Sequence, residues 1–558
     1  ALDPRNPDII YAGSYGGSIT RMDRTNGEFR QVLSYPQLQL GAAPRDLKFR
    51  FQWNAPILLS PHDPQIVYHC AQVVLRSKDG GQSWEEISPD LTTDNPKTQD
   101  YTGGPISHDS TGVEVYNTIF AFEESPHTPG LLWAGSDDGK VHISRDHGTN
   151  WIDITPKGMP KGGTVNVIEL SAHDSARAFI AVYRYREDDF RPYIFRTNDF
   201  GMSWDLLTNG KNGIPTTNFT RAIREDPDRK GLLYAGTEFG LYISFDDGAH
   251  WQKFQNNLPV TPVTDLRVHR KDLVVATQGR AFWSMDDLTP LHQITDAVQK
   301  AEAWLFEPRA AYRGASLGGA RFNYYFAKPP EEQIEMEILN AGGLVLRRFK
   351  GKPGEKVAAV SASPFGPSAT PDLIPAEEGI NTVTWNLRLN PPEMPRGVIH
   401  WGRPSGKTLV PGTYQVRLNA GEWSQIQSFE VKGNPNYPTT IAQYQKQYDL
   451  LADIGAKMDE MFTGLIKLRD IKTQSMSIIK RLEKAGIADP SITDAAKILN
   501  EKLTSIEIQL TQVKSKSGQD PINFPPMLDN QFTTLYSHVA DFDYQPTAGA
   551  YQRFDDLK

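Results

Sequence analysis

Ser77-Lys-Asp79-Gly-Gly81-Gln-Ser-Trp84 returns three more times along the chain. The copies are Ser144-Arg-Asp146-His-Gly148-Thr-Asn-Trp151, Thr197-Asn-Asp199-Phe-Gly201-Met-Ser-Trp204 and Ser244-Phe-Asp246-Asp-Gly248-Ala-His-Trp251. The shared pattern is [Ser/Thr]-x-Asp-x-Gly-x-x-Trp. Its chemistry is that of a hairpin turn. The Asp carboxylate accepts backbone N–H groups within the turn, Gly supplies a positive φ, and Trp folds back as a cover. Nothing in this arrangement calls for a substrate, so these aspartates, glycines and tryptophans are expected to be structural.

A second motif precedes each box. It reads Asp3-Pro-Arg-Asn-Pro-Asp-Ile-Ile-Tyr11, Ser60-Pro-His-Asp-Pro-Gln-Ile-Val-Tyr68, Ser125-Pro-His-Thr-Pro-Gly-Leu-Leu-Trp133 and Glu225-Asp-Pro-Asp-Arg-Lys-Gly-Leu-Leu-Tyr234, with a looser copy at Ser171–Phe179. Each couples a Pro-rich turn to a short β-branched or aromatic strand. Together the motifs describe a four-strand unit. The Asp-to-Asp steps of 67, 53 and 47 residues lie near the repeat of about 40–50 residues seen in propeller blades. The expectation is a mainly β fold with a β-propeller of about six blades over 1–292. Its first blade lacks a box and an inner strand, and its sixth ends in the degenerate Ser284-Met-Asp286-Asp287. Closure then calls for an upstream propeller segment or another chain. The opening Ala1-Leu2-Asp3 falls partway into a repeat, as a processed or truncated chain would.

Composition narrows the function. The 558 residues carry a net charge of -8, which offers no basic footprint for nucleic acid. No run of about 18 apolar residues is present, so no transmembrane segment is expected. The single cysteine, Cys70, lies in an apolar strand and reads as a buried thiol. HExxH, paired CxxC and GxSxG patterns are missing, as is a full EF-hand loop. His62 and His127 sit in Ser-Pro-His turns, where a structural role is expected. No metal and no cofactor are expected.

Beyond residue 300 the pattern changes. Ile334–Ile338 and Leu344–Leu346 flank a hairpin turn, and 381–387, 412–418 and 424–431 alternate as strands. An Ig-like β-sandwich is expected over 300–432, with a loop at 351–378. After Pro438 a C-terminal helical bundle is expected over 438–558. It takes one apolar stripe from Tyr444 to Leu482, a second through Ala495, Leu499, Leu503, Ile506, Leu510 and Val513, and a third helix from Met527 to Val539.

With its [Tyr/Trp]-Ala-Gly strands, the chain resembles the BNR/Asp-box β-propellers. Phe51-Gln-Trp-Asn-Ala-Pro-Ile57, Gly231–Gly240 and Asp272–Thr277 are similar to large secreted bacterial proteins labelled sortilin-like or "glycosyl hydrolase, BNR repeat". That resemblance implies a secreted, periplasmic or cell-surface location. It also implies a propeller used either as a binding platform or as a glycosidase, and fold alone does not choose between them.

Blade topology puts the box turns on one face, and the longer irregular segments on the other, where function tends to reside. The segments 36–53, 89–112 and 183–191, with the short loops, offer Arg50, Trp53, His108, Asp109, Glu114, Asp137, Asp138, Arg184, Tyr185, Asp188, Arg221, Glu238 and Arg280 as binding candidates. No catalytic residues are assigned. The Phe/Tyr-Arg-Ile-Pro motif that opens sialidase sites is absent. The sequence therefore favours a recognition platform for a glycan or protein ligand, with a glycoside hydrolase on the same face as the alternative.

Overall fold

A computed structural model describes residues 1–3, 5–314, 318–354, 373–402, 404–487 and 489–558. Part of the loop expected at 351–378 falls on residues 355–372, outside the described residues. The chain divides into two units, Ala1–Leu288 and Thr289–Lys558.

The first unit holds six small antiparallel sheets, each a simple meander. Sheet I is Ile9–Ser14, Ser18–Asp23 and Glu28–Gln31 (β1–β3). Sheet II is Ile57–Leu59, Val67–Cys70, Val74–Ser77 and Glu85–Glu86 (β4–β7). Sheet III is Ile119–Glu124, Leu132–Ser136, Val141–Ser144 and Ile152–Asp153 (β8–β11). Sheet IV is Thr164–Leu170, Ala178–Arg184, Asp189–Thr197 and Asp205–Leu206 (β12–β15). Sheet V is Thr220–Glu225, Leu233–Thr237, Gly240–Ser244 and Gln252–Lys253 (β16–β19). Sheet VI is Val263–His269, Asp272–Thr277 and Phe282–Met285 (β20–β22). Aliphatic clusters run continuously from sheet I into II, II into III and III into IV.

One ion pair reveals the geometry. Arg267 on β20 meets Glu123 on β8 at 3.1 Å, although two sheets intervene in sequence. Such a reach requires the first strands of the sheets to converge on a common axis. Arg224 on β16 joins the same network through Glu169 on β12 (3.2 Å) and Asp265 on β20 (2.8 Å). Burial raises the Glu169 carboxyl to about 7 against the pull of Arg224. A mainly β unit of six sheets around an axis is consistent with a β-propeller.

Every letter of the box motif has a physical task. The Ser or Thr hydroxyl accepts the Gly N–H at 2.7–2.9 Å in all four turns. The Asp carboxylate accepts the N–H four residues on at 2.8–2.9 Å. Hydrogen bonds from Ser83 hold the Asp79 carboxyl well below its ordinary range. The Gly answers two demands. Gly148 adopts φ +91°, and a Cβ there would lie 2.8 Å from Ile87 of the preceding sheet. Gly81, Gly201 and Gly248 meet Val32, Ile154 and Leu207 in the same way.

The tryptophans do more than cover their turns. Trp84, Trp151, Trp204 and Trp251 donate Nε1–H to the carbonyls of Val32, Ile87, Ile154 and Leu207, at 2.8–3.2 Å. Each box therefore bolts its sheet to the one before. The Pro-turn histidines bolt forward. His62, His127 and His173 place Nε2 on the carbonyls of Ser125, Ser171 and Asp226 at 2.8–3.0 Å. A ring nitrogen facing a carbonyl must carry the proton, so these rings are donors.

The second unit begins with two short helices, α1 (Thr289–Gln293) and α2 (Asp296–Lys300). It continues with Ala303–Leu305, Ala311–Tyr312, Ala320–Phe326, Ile334–Asn340, Val345–Gly351, Gly379–Trp385, Gly412–Ala420 and Trp423–Lys432 (β23–β30). These form a three-stranded sheet, β23-β25-β28, and a five-stranded sheet, β24-β30-β29-β26-β27. Their inner faces share one core, in which Phe322 meets Phe429 and Trp385 meets Phe349 edge-on.

Helices α3 (Ile441–Lys484), α4 (Pro490–Leu510), α5 (Leu528–Ala540) and α6 (Ala548–Leu557) complete the unit. Thr440 and Gln443 form a capping box at the start of α3. Asp489 caps α4 with Pro490 at its first position. Ile454, Met458 and Phe462 of α3 pack with Phe532 and Tyr536 of α5 and Phe554 of α6. Arg313 ties sheet to helices. It is 2% exposed, donates to Asp543, Gln447 and the Leu409 carbonyl at 2.9 Å, and stacks on Tyr444.

Helix α4 departs from the sequence expectation of a core stripe. Leu499, Ile506 and Val513 are 42–49% exposed. A polar seam attaches α4 to α3 instead: Glu507 pairs with Arg469 and Lys472, and Asn500 bonds Ser475. Among the described residues no helix is long and apolar enough to cross a membrane.

Candidate functional site

Four consecutive first strands carry the same irregularity near their start. Pairing skips Phe120 in β8, Asn166 in β12, Arg221 in β16 and Thr264 in β20. A bulge re-aims the skipped side chain and is common beside functional sites. In sheets II to V the box turn joins strands three and four, so the start of strand one lies at the opposite end. The bulges thus mark the face away from the boxes.

A cavity of about 850 Å³ opens on that face, lined by the loops before sheets II, III and IV and the turns after the second strands of sheets III and IV. It gathers Trp53, Glu114, Asp137, Asp138 and Arg184 from the sequence candidates. It adds Tyr116, Phe120, Lys161, Arg186 and Glu187, which that set omitted.

Asp137 and Asp138 sit in the tight Ser136-Asp-Asp-Gly139 turn, where Gly139 takes φ +94°. The Asp137 oxygens accept the N–H (2.9 Å) and Oγ1–H (2.7 Å) of Thr118. Burial nonetheless pushes this carboxyl up to about 7, with the neighbouring Asp138 adding to the rise. Asp138 accepts from Thr93 N (2.8 Å), Thr93 Oγ1 (2.6 Å), Asn117 and Ser136. Glu114 accepts from Thr111 at 2.6 Å. Tyr116 is raised by burial and by the Asp137 charge.

An aromatic cluster adjoins the cavity. Tyr185 stacks on Phe219 (4.8 Å, 20°) and packs against Tyr183 (5.2 Å). The Arg221 guanidinium lies 5.1 Å from the Phe219 ring and pairs with Glu238 at 2.7 Å. Tyr185, Arg221 and Glu238 therefore form a second group of sequence candidates brought together.

The other candidates stand apart. Arg50 is 6% exposed and holds the loop before sheet III through Asp90 (2.5 Å) and the Asn117 carbonyl. His108 stacks on Tyr101 at 3.7 Å, and Asp109 turns its loop at φ +49°. Asp188 caps a 3₁₀ turn at φ +56°. Arg280 is exposed in the turn after β21. The signal for Phe120, Asn166, Arg221 and Thr264 as a set lies in strand register, which residue type does not encode.

No family model matches the chain. A segment of 122 residues is 30% identical to the vacuolar protein sorting/targeting protein 10 of Laccaria bicolor, covering 21% of this chain and 7% of that protein. Among solved structures, the fold is similar to the GH74 xyloglucanase from Xanthomonas campestris (15% identity, 58% of this chain and 50% of that one, TM-score 0.37) and to the Niastella koreensis GH74 enzyme (13%, 76% and 64%, TM-score 0.36).

Proposed function

We propose that the first unit is an Asp-box β-propeller of the sortilin-like kind and acts as a recognition platform. It binds a glycan or a protein in the cavity around Trp53, Tyr116 and Asp137. The Ig-like sandwich and helices serve as spacer and attachment within a larger secreted or cell-surface assembly, and a further propeller segment or another chain completes the ring. The observation that carries this reading is the cavity itself. Loops from three sheets deliver exposed aromatic and charged side chains to one volume of a size suited to a ligand, while the box carboxylates are saturated by their own turns.

The test is binding of the 558-residue chain to arrays of oligosaccharides and peptides. Trp53→Ala and Tyr116→Ala should abolish the signal. Met202→Ala, in an exposed box turn, should leave it unchanged. Equal loss in all three variants, or no ligand at all, would sink the reading.

A glycoside hydrolase is the second reading, favoured by one observation: a carboxyl raised to about 7 in a cavity that also holds Glu114 and Glu187. A general acid needs such a value near neutral pH. Reducing-sugar release lost in Asp137→Asn would support it, and binding without turnover would exclude it.

A further inference from the structure

Within the cavity, acids and bases are unequally provided for. Asp137 and Asp138 have every oxygen engaged by donors from Thr93, Asn117, Thr118 and Ser136, Thr111 holds one oxygen of Glu114, and Glu187 is exposed, with Arg184 3.9 Å away. The cations have no carboxylate closer than 3.9 Å among the described residues. Arg186 meets no carboxylate at ion-pair distance among the described residues; it hydrogen-bonds the Tyr183 hydroxyl, and its guanidinium lies over the Tyr185 and Tyr183 rings at 4.9 and 5.6 Å. Arg184 gives Nε–H to the Lys161 carbonyl at 2.8 Å, and among the described residues its nearest carboxylate is Glu187, at 3.9 Å. The Lys161 side chain is exposed at the same wall. At the rim, Trp53 is 51% exposed, braced edge-on by Tyr15 at 4.6 Å.

Two guanidinium groups and one ammonium without a close carboxylate partner leave donor capacity for an anion, and guanidinium matches planar oxyanions in particular. An exposed, braced indole offers an apolar face with a polar tip, suited to packing on a ring-shaped ligand. Resting on the reading of this cavity as a glycan site, we infer that it selects an anionic oligosaccharide. The acidic group seats on Arg184, Arg186 and Lys161, and a sugar ring lies on Trp53. Carboxylate and sulfate sugars share this chemistry.

Isothermal titration of the 558-residue chain tests the inference with three tetrasaccharides: a galacturonate, a sulfated heparin fragment and neutral cellotetraose. Binding of either acidic probe should exceed that of the neutral one by about tenfold or more and weaken on raising salt. The tighter of the two acidic arms identifies the oxyanion. Arg186→Gln, at an exposed site, should erase most of that preference, whereas Trp53→Ala should weaken acidic and neutral probes alike. Neutral and acidic probes bound equally, with Arg186→Gln unchanged, would overturn the anionic preference and leave the glycan reading standing. No binding of any tetrasaccharide would remove both.

Discussion

Replacing Asp137 by Asn substitutes a neutral isostere for a carboxyl that the fold holds uncharged more readily than water does. In the folded protein this group titrates at about 7, against an ordinary 3.8, because burial disfavours the carboxylate. The folded state therefore binds the proton more tightly than the unfolded state. The associated stability is fully present below about pH 3.8 and is lost as pH rises through about 7. At about 1.4 kcal/mol per tenfold in the proton equilibrium, the interval corresponds to about 4 kcal/mol. Asn keeps the Thr118 N–H bond through its oxygen and can give an N–H to Thr118 Oγ1, so its own offset is independent of pH. Urea unfolding of the two proteins from pH 4 to pH 8, followed by tryptophan fluorescence, reads the difference directly. The difference should change steadily from pH 4 up to about pH 7 and level off by pH 8, with Asn gaining about 4 kcal/mol on the wild type across that range. A difference that stays flat across this range would refute the buried, proton-holding Asp137.

Three further outcomes follow from the packing. Gly148→Ala should cost about 2–5 kcal/mol, from a disfavoured φ and collision with Ile87. Gly27→Ala, with a positive φ but nothing within 4 Å, should cost only about 1–2 kcal/mol by the same denaturation assay. Arg313→Leu should destabilise the second unit by about 3–5 kcal/mol, since Gln447 and the Leu409 carbonyl would lose their donor and the half-buried Asp543 would keep only Asn434. Lys at 313 should recover only a fraction of this, because one ammonium cannot reach Asp543, Gln447 and the Leu409 carbonyl together. Leu499→Lys, on the exposed side of α4, should shift stability by no more than about 0.5 kcal/mol, whereas Phe462→Ala in the helical core should cost about 3–5 kcal/mol.

The turns were legible because each box letter answers a local demand: a hydroxyl for the Gly N–H, a carboxylate for the N–H four residues on, a glycine for positive φ. The partner of each Trp was not legible, because Ile87 and Trp151 are far apart in sequence and meet only through sheet packing. The face on which the cavity opens followed from meander topology, and Trp53, Glu114, Asp137, Asp138 and Arg184 line that cavity. Arg50 illustrates the limit. A loop arginine looks available until its burial beside Asp90 is seen. Likewise, the stripe on α4 has helical period, but period cannot tell which side a neighbour covers. The strand bulges at Phe120, Asn166, Arg221 and Thr264 leave no mark in composition at all.

The paired bolts between sheets also bear on how such a chain is made and unmade. Each box Trp reaches back to a carbonyl that has already left the ribosome, so every new sheet is able to lock its predecessor as it emerges. At each junction the forward-reaching histidine can engage first, because Ser125, Ser171 and Asp226 leave the ribosome before Trp151, Trp204 and Trp251. Pulled from one terminus, the same linkage should open junction by junction. A repeat of 53 residues, as between Asp146 and Asp199, releases about 180 Å of extended chain per step, so the box spacing should appear as a ladder of lengths.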